Sequence, residues 1–241
     1  EPPTRSVEQS EYRLLDSIQP TSTLEQDLED IMDGLLPQSQ GERVVPQRVI
    51  MYTDASGGPF SAWPQLRRVG YAAVAVDPTK GLPAEATTTT DAPDVLWWEK
   101  GTMEGDQTVN RGELYAITRA IMQAIKLAKD LDKKVVLEVR SDSAYAVNAW
   151  QQDNRFPDSN LDLWIAFWKY CDHECVTVSL TKVMAHANDD DIQAGRTTLE
   201  HTKYNALADT LAGEAATAAA PPAPHVNTLR GRKWQALMVR R

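Results

Sequence analysis

Four acidic residues, far apart in the chain, occupy positions beside apolar segments, where an acid indicates a functional role rather than ordinary surface exposure. Asp54 and Asp142 each end a run of residues with the composition of a buried strand. Glu113 lies near the start of a long predicted helix, and Asp209 lies among apolar residues of the last predicted helix. Acids buried close together repel and raise each other's pKa unless a cation compensates them. Mg²⁺ binds to a few carboxylates, with water and phosphate completing its shell, so the four acids predict a divalent metal site.

Stretches of predicted strand and helix position these acids. Strands are predicted over residues 48–54, 68–77, 95–103, 134–141 and 176–184, and helices over residues 110–130, 143–150, 161–170 and 201–216. Short turns join the first strands and helical crossovers join the later ones, which predicts an α/β fold with a mixed sheet flanked by helices. If the strands that end in Asp54 and Asp142 are parallel neighbours, both carboxylates lie at one edge of the sheet, where active sites of α/β proteins form.

Five short stretches around these residues resemble the type 1 ribonuclease H family. In chain order they are YTDAS at residues 52–56, NRGEL at 110–114, SDSAY at 141–145, VMAHA at 183–187 and NALAD at 205–209. Each stretch is a weak signal alone, but all five occur in the family's order and on the expected element. The resemblance covers roughly residues 48–216 and implies the ribonuclease H-like fold, a five-stranded mixed sheet whose first three strands are antiparallel and last two parallel.

The resemblance also implies an activity, which is endonucleolytic hydrolysis of the RNA strand of an RNA–DNA hybrid (the EC 3.1.26.4 type). Asp54, Glu113, Asp142 and Asp209 would hold two Mg²⁺ ions, with Mn²⁺ able to substitute, roughly 3.5–4 Å apart as in two-metal sites generally. Asp54 would be the bridging ligand, and the products would carry a 5′-phosphate and a 3′-hydroxyl. His186 matches the family's mobile histidine, which assists proton transfer or product departure.

Six further residues match places where the family contacts the hybrid backbone. They are Ser56, Gly57, Asn110, Arg111, Ser143 and Asn205. Telling RNA from DNA requires contact with the 2′-hydroxyl, for which Asn110 and the backbone amides after Asp54 are the candidates. A helix N-cap is the competing role for Asn110, and both could hold.

Three departures from the family's pattern bear on substrate binding. The turn after Asp54 is long and apolar, and residues 188–196 form an acidic flap that is predicted to be extended. Residues 150–161 contain one base, Arg155, where many free-standing members have a basic protrusion. The absence of this basic protrusion suggests the ribonuclease H domain of a retroelement reverse transcriptase. In such a polyprotein, a polymerase domain supplies much of the binding to the hybrid.

Two other classes of function remain open at this point. An integrase- or transposase-like nuclease of the same fold would act on DNA, but such proteins use their acids in a D…D…E order, and here Glu113 precedes Asp142. A non-catalytic nucleic-acid-binding descendant would normally have lost one of the acids, and all four are present.

Composition limits the remaining possibilities. The formal net charge of -9 argues against a strong unaided electrostatic grip on a polyanion. The pattern predicts three segments. They are an acidic leader over residues 1–46, which contains a short helix over residues 22–36, the catalytic domain over residues 47–217, and an Ala/Pro linker with a basic tail over residues 218–241. The tail is predicted to form an amphipathic helix from residue 227 onward. No signal peptide or apolar membrane span is evident, so an intracellular location, cytoplasm or nucleus, is expected. No feature indicates the oligomeric state.

Smaller motifs have ordinary structural explanations. Cys171, His173 and Cys175 offer zinc three ligands and no convincing fourth, so a helix end with two semi-buried thiols is preferred. His201 has no counterpart in the family and is expected to be structural or solvated. The aromatic residues of the helix over 161–170 are expected to lie in the core.

Overall fold

The computed structural model describes residues 48–77, 79–80 and 89–239. The predicted acidic leader, with its short helix over residues 22–36, lies outside the described residues.

A single five-stranded sheet organises the described residues. Its strands are β1 (Arg48–Ser56), β2 (Gly70–Val76), β3 (Val95–Thr102), β4 (Val135–Ser141) and β5 (Val176–Lys182). The order across the sheet is β3-β2-β1-β4-β5. β1 pairs with β2 and β2 with β3 in the antiparallel sense, whereas β1 pairs with β4 and β4 with β5 in the parallel sense. The predicted mixed sheet is confirmed.

Helices cover both faces of this sheet. They are α1 (Val109–Asp130), α2 (Ala144–Gln151), α3 (Leu161–Cys171), α4 (Asp189–Gln193), α5 (Leu199–Ala218) and α6 (Ala223–Val239), with one 3-10 turn at Gly58–Phe60. α5 packs on β1, β2 and β3, while α1 packs on β1, β2 and β4 and is backed by α3. β1 is therefore covered on both sides, which explains its unbroken apolar run rather than an alternating pattern.

The two layers of the core follow from the alternation of side chains along the strands. Ile50 and Tyr52 face α5, where they join Leu207 and Leu211 in one apolar cluster. On the α1 side, the aromatic residues of α3 belong to the core as predicted, and Trp164 and Phe167 are completely buried.

The start of α1 differs from the prediction in a way that matters for the site. Thr108 is the N-cap, and its side chain accepts a hydrogen bond from the amide of Arg111. Asn110 lies inside the first turn and is exposed. Thr108 and Asn110 are both good cap residues, and the helix begins at the earlier of the two, so the N-cap role considered for Asn110 is wrong.

Two segments near the C-terminus are more helical than expected. The acidic flap contains α4, which begins with a capping box between Asn188 and Asp191 and is followed by an ion pair between Asp191 and Arg196. The tail helix was predicted to begin at residue 227, and it begins four positions earlier, at Ala223. Only residues 219–222 therefore separate it from α5.

No helix within the described residues combines the length and apolar content that a membrane crossing needs.

Candidate active site

The parallel pairing of β1 and β4 brings the first two acids together. Thr53 lies opposite Ser141 in the register of the two strands, so Asp54 and Asp142 follow side by side at the same edge of the sheet. β1 continues to Ser56, so Asp54 lies within the strand rather than at its end.

α1 supplies the third acid of the cluster. Glu113 lies on the buried side of the first turns of α1, where the helix packs against β1. Carboxylate oxygens of Asp54, Glu113 and Asp142 all lie within 4.8 Å of one another.

Burial makes this cluster electrostatically costly. Asp54 is 5% exposed and Glu113 is 7% exposed. Burial, followed by the negative charges of Asp142 and Asp209, raises the pKa of Asp54 to about 8. Burial and the charge of Asp54 raise the pKa of Glu113 well above its usual range. Within the described part of the chain, Glu113 Oε2 is buried without a hydrogen-bond partner, and no cationic side chain compensates the three acids.

Asn205 holds one of these acids from α5. Its Nδ2 donates a hydrogen bond to Asp142 Oδ2 at 3.3 Å. The Asn205 side chain is buried, and its Oδ1 finds no partner among the described residues. Asn205 therefore orients Asp142 from inside the protein rather than lying on an open surface.

Asp209 and His186 form the open side of the site. Asp209 is near enough to raise the pKa of Asp54, but it lies outside the tight group of three, and its side chain is 44% exposed. His186 is 81% exposed, and its Nδ1 lies 3.9 Å from Asp209 Oδ2. The φ of His186 is 45°, a left-handed conformation that few non-glycine residues adopt and that marks backbone strain. A shallow groove between them is lined by Met184, Thr202 and Asn205.

The donor set fits a hard divalent cation. Carboxylate oxygens are the ligands that Mg²⁺ takes in proteins, and the buried Glu113 Oε2 has no hydrogen-bond partner among the described residues, so it is available as a ligand. The described residues contain no comparable group around the cysteines. There, Cys175 Sγ contacts His173 Nδ1 at 3.0 Å, and burial raises the pKa of the Cys171 thiol.

Three of the six residues expected to contact substrate are engaged in contacts within the fold, and Asn205, described above, is one of them. Arg111 forms a two-pronged ion pair with Asp162 at the start of α3, at 2.8 and 2.5 Å. Ser143 caps α2 by accepting a hydrogen bond from the amide of Ala146.

The remaining three differ in exposure, since Gly57 is buried and Ser56 is half-buried. Asn110 is exposed on the first turn of α1. Ser56 Oγ accepts a hydrogen bond from the amide of Gly58, which shapes the turn after Asp54. A Cβ on Gly57 would come within 2.3 Å of Ser61 Oγ, so this turn is too tight for a larger residue.

Sequence reasoning missed the partners that these residues acquire from distant parts of the chain. Asp162, which engages Arg111, lies 51 residues away from it. Arg140, two residues before Asp142, forms an ion pair with Glu200 of α5. An arginine inside an apolar strand was the one available signal, because a buried guanidinium requires a partner.

The sequence of this chain matches the model of the RNase H family over residues 46–217. The chain belongs to the RNase H family. It is a ribonuclease H, and the acids brought together at the sheet edge belong to the matched region. No curated protein matches the chain.

Solved structures of RNase H proteins are similar to this chain. The RNase H1 of the archaeon Halobacterium salinarum is 19% identical, with 70% of this chain and 96% of that chain covered and a TM-score of 0.44. The RNase H domain of prototype foamy virus is 18% identical, with 70% and 93% covered and a TM-score of 0.48. LC11-RNase H1 from compost, in complex with an RNA/DNA hybrid, is 20% identical, with 70% and 96% covered and a TM-score of 0.46.

Proposed function

We propose that this ribonuclease H cleaves the RNA strand of RNA–DNA hybrids endonucleolytically, using two divalent ions and leaving a 5′-phosphate and a 3′-hydroxyl. The observation that carries the proposal is the group formed by the buried Asp54 and Glu113 and the half-buried Asp142, whose carboxylate oxygens lie within 4.8 Å of one another. Mg²⁺ held by a few carboxylates usually completes its shell with substrate phosphates, and two-metal sites catalyse displacements at phosphate, which supports a phosphodiester substrate.

The four acids divide into an inner and an outer set. Asp54, Glu113 and Asp142 would hold metal from the inner side of the site, and Asp209 would complete the site from its exposed side. When bound, two Mg²⁺ or Mn²⁺ ions supply a nucleophile from water at neutral pH and neutralise charge on the leaving oxygen.

The side chains around the acids orient them and handle protons. Asn205 holds Asp142 through its Nδ2 and so fixes which carboxylate oxygen faces the ions. His186 is exposed and flanks Asp209, and its imidazole would move a proton to or from the departing product.

The hybrid would be contacted along the same edge. The backbone amides of the tight turn at Ser56 and Gly57 and the exposed side chain of Asn110 would meet the sugar-phosphate backbone. Arg111 would reach the hybrid only by sharing its guanidinium with Asp162. Ser143 would contribute through its position at the start of α2.

We further propose that the chain works beside a polymerase domain of a retroelement reverse transcriptase. The connection between α2 and α3 carries only Arg155 as a base, and that base is bound to Asp172 at 2.7 Å. The domain thus lacks its own basic clamp at this position, and a neighbouring polymerase domain would provide the missing contacts.

A cleavage assay with matched substrates tests the activity. Labelled RNA–DNA hybrid, duplex RNA and duplex DNA are incubated with the full chain in Mg²⁺ and in Mn²⁺, and product ends are mapped. We expect cleavage of the hybrid RNA strand alone. Cleavage of duplex DNA would instead favour an integrase-like enzyme, and no cleavage with either ion would favour a non-catalytic binding protein.

Replacing the central acid tests the assignment of the site. Asp54→Asn should reduce turnover to background with an unchanged circular dichroism spectrum, because a ligand charge is lost while the side-chain volume is kept. Asp130→Asn, at the exposed far end of α1, is the matched control and should retain wild-type turnover. Activity retained by Asp54→Asn would refute the assignment.

A further inference from the structure

A layer of polar and charged side chains lies directly behind the acids. Tyr52 and Arg140 are opposite each other in the parallel register of β1 and β4. Tyr52 precedes Asp54 by two residues, and Arg140 precedes Asp142 by two residues. Since residues two positions apart in a strand lie on the same face of the sheet, Tyr52 and Arg140 are the next residues on that face behind the two acids.

Arg140 is the centre of this layer. Its Nη1 donates to Tyr52 Oη at 2.6 Å and to Glu200 Oε1 at 2.7 Å, and its Nε donates to Glu138 Oε1 at 2.8 Å. The Arg140 side chain is 12% exposed, and Tyr52 is completely buried. His201 Nδ1 lies 3.0 Å from Tyr52 Oη and closes the group.

The layer links three elements that carry the site. Glu200 lies in the first turn of α5, and the same helix presents Asn205 and Asp209 one and two to three turns later. Arg140 lies in β4 and Tyr52 lies in β1, the strands that lead to Asp142 and Asp54. The contact between Arg140 and Glu200 therefore joins the start of α5 to the strands immediately behind the acids.

We propose that the Arg140–Glu200 ion pair positions α5 so that Asn205 can hold Asp142 and Asp209 can complete the site. The inference rests on the proposed function, because it concerns the same four acids. Glu200 and Arg140 are positioning residues and touch neither substrate nor ions.

The geometry of the Asn205 contact explains why positioning is needed. The Asn205 Nδ2 to Asp142 Oδ2 distance is 3.3 Å, close to the limit for a hydrogen bond, so a small displacement of α5 would break it. α5 follows the flap, and the chain entering the flap is held by the amide of Val183, which donates to the carbonyl of Ser141 at 3.0 Å. The Arg140–Glu200 pair supplies the corresponding anchor where the chain leaves the flap.

The same helix offers a matched control. Glu214, near the other end of α5, forms an ion pair of 2.6 Å with Lys100 of β3. This pair also joins α5 to the sheet through one carboxylate, but it is remote from the Asn205–Asp142 contact. Loss of either pair should cost a comparable, small decrease in Tm, whereas only loss of Glu200 should change the site.

Glu200→Ala, Glu200→Gln and Glu214→Ala are compared with the wild-type full chain in hybrid cleavage and in Mg²⁺ titrations followed by the rise in Tm, which requires no turnover. For Glu200→Ala we expect a kcat about tenfold lower than that of the wild type and a KM within about twofold of it. We also expect that a higher Mg²⁺ concentration is needed for half-maximal stabilisation. The reason is that changes to the partners of metal ligands typically alter affinity or activity by about 10- to 100-fold. Glu200→Gln keeps the acceptor oxygen and should recover to within about threefold. Glu214→Ala should match wild type in both measurements.

The inference is overturned if Glu200→Ala and Glu214→Ala have the same kcat and the same Mg²⁺ midpoint, or if Glu200→Gln loses as much as Glu200→Ala. Should Glu200→Ala not fold, Glu200→Asp shortens the side chain and withdraws the carboxylate from Arg140 while keeping its charge, and the same comparison applies. Failure of the wild-type chain to cleave hybrid would count against the proposed function instead, so the two failures are distinguishable.

Discussion

Asp54 carries, together with Glu113, the electrostatic cost of burying acids at the site. Its pKa is raised from 3.8 to about 8 by burial and by the neighbouring acids. A carboxyl group whose pKa is higher in the folded than in the unfolded state holds its proton longer in the folded state. Its contribution to stability is therefore present below the unfolded pKa and is lost as pH rises through the folded pKa. Without a cation, the site opposes folding at neutral pH.

This cost predicts a pH-dependent effect of one substitution. In the presence of a chelator, Asp54→Asn should raise the Tm at pH 8, because Asn removes the unfavourable buried charge, and should have a much smaller effect at pH 4.5. For a domain of this size about 1 kcal/mol corresponds to roughly 2–4 °C, so a rise of a few degrees is expected. Thermal unfolding at the two pH values measures it, with Asp130→Asn as the variant that should show no such difference.

Adding Mg²⁺ reverses the comparison. At pH 8 the wild-type chain should gain Tm with Mg²⁺, because the ion binds the folded state alone, whereas Asp54→Asn should gain little. An equal gain in both proteins, or an Asp54→Asn effect that is the same at pH 4.5 and pH 8, would contradict the assignment of the buried charge to Asp54.

At the scale of elements, the approach of α1 to β1 brings Glu113 to the strand acids. A Cβ built on Gly112 would come within 2.4 Å of Val69 Cγ1 and 2.8 Å of Ala55 Cβ. Gly112 therefore lets the first turns of α1 pack directly against β1. Any side chain there would push the helix away from the strand and carry Glu113 with it.

Two Gly→Ala substitutions test this approach. Gly112→Ala should destabilise the fold by about 1–3 kcal/mol, as expected for overpacking, and should reduce hybrid cleavage. Gly213→Ala on α5 is the control, since the nearest atom to its Cβ would be Ser56 Oγ at 4.0 Å. Alanine should there stabilise the helix by about 0.5–1 kcal/mol and leave cleavage intact. Urea unfolding of both variants measures the two effects, and equal changes would show that the packing of α1 is not limiting.

The elements were largely predictable because each carries its own local signal. Apolar runs ending in Asp54 and Asp142 indicated two strands, but not that these strands are parallel neighbours, and the periodicity after Asn110 indicated α1. Contacts between elements were less predictable. The Tyr52–Glu200 hydrogen bond joins residues 148 positions apart, and no periodicity in the sequence encodes such a pair.

Errors of prediction were local and had a common cause. Residues with two competing roles cannot be assigned without the packing that decides between them. Thr108 rather than Asn110 caps α1. His201, expected to be structural or solvated, was not such an error and takes the structural role: it lies against Tyr52 and Arg140, and burial lowers its pKa.

On the scale of the whole molecule, charge is distributed unfavourably for holding a polyanion. The formal net charge is -9. Arg155, the base in the connection between α2 and α3, is bound to Asp172 and lies over the ring of Trp168 at 4.6 Å. Its positive charge is thus already paired with a carboxylate of the protein, so this connection presents little positive charge to the phosphates of a hybrid.

The full chain alone should therefore bind hybrid weakly and with little salt dependence. We expect micromolar or weaker affinity at about 150 mM salt, and a slope of log K against log salt smaller in magnitude than about 3, since each phosphate contact contributes about 0.9 to that slope. Binding is measured with Asp54→Asn in Mg²⁺, so that no cleavage intervenes. Asp158→Lys, which adds a base to the exposed connection after α2, should tighten binding and steepen the slope by about 1. Asp130→Lys, the same charge change at the far end of α1, should do neither. Nanomolar binding by the unmodified connection, or an equal response to both lysines, would contradict the view that this domain depends on a partner for its grip.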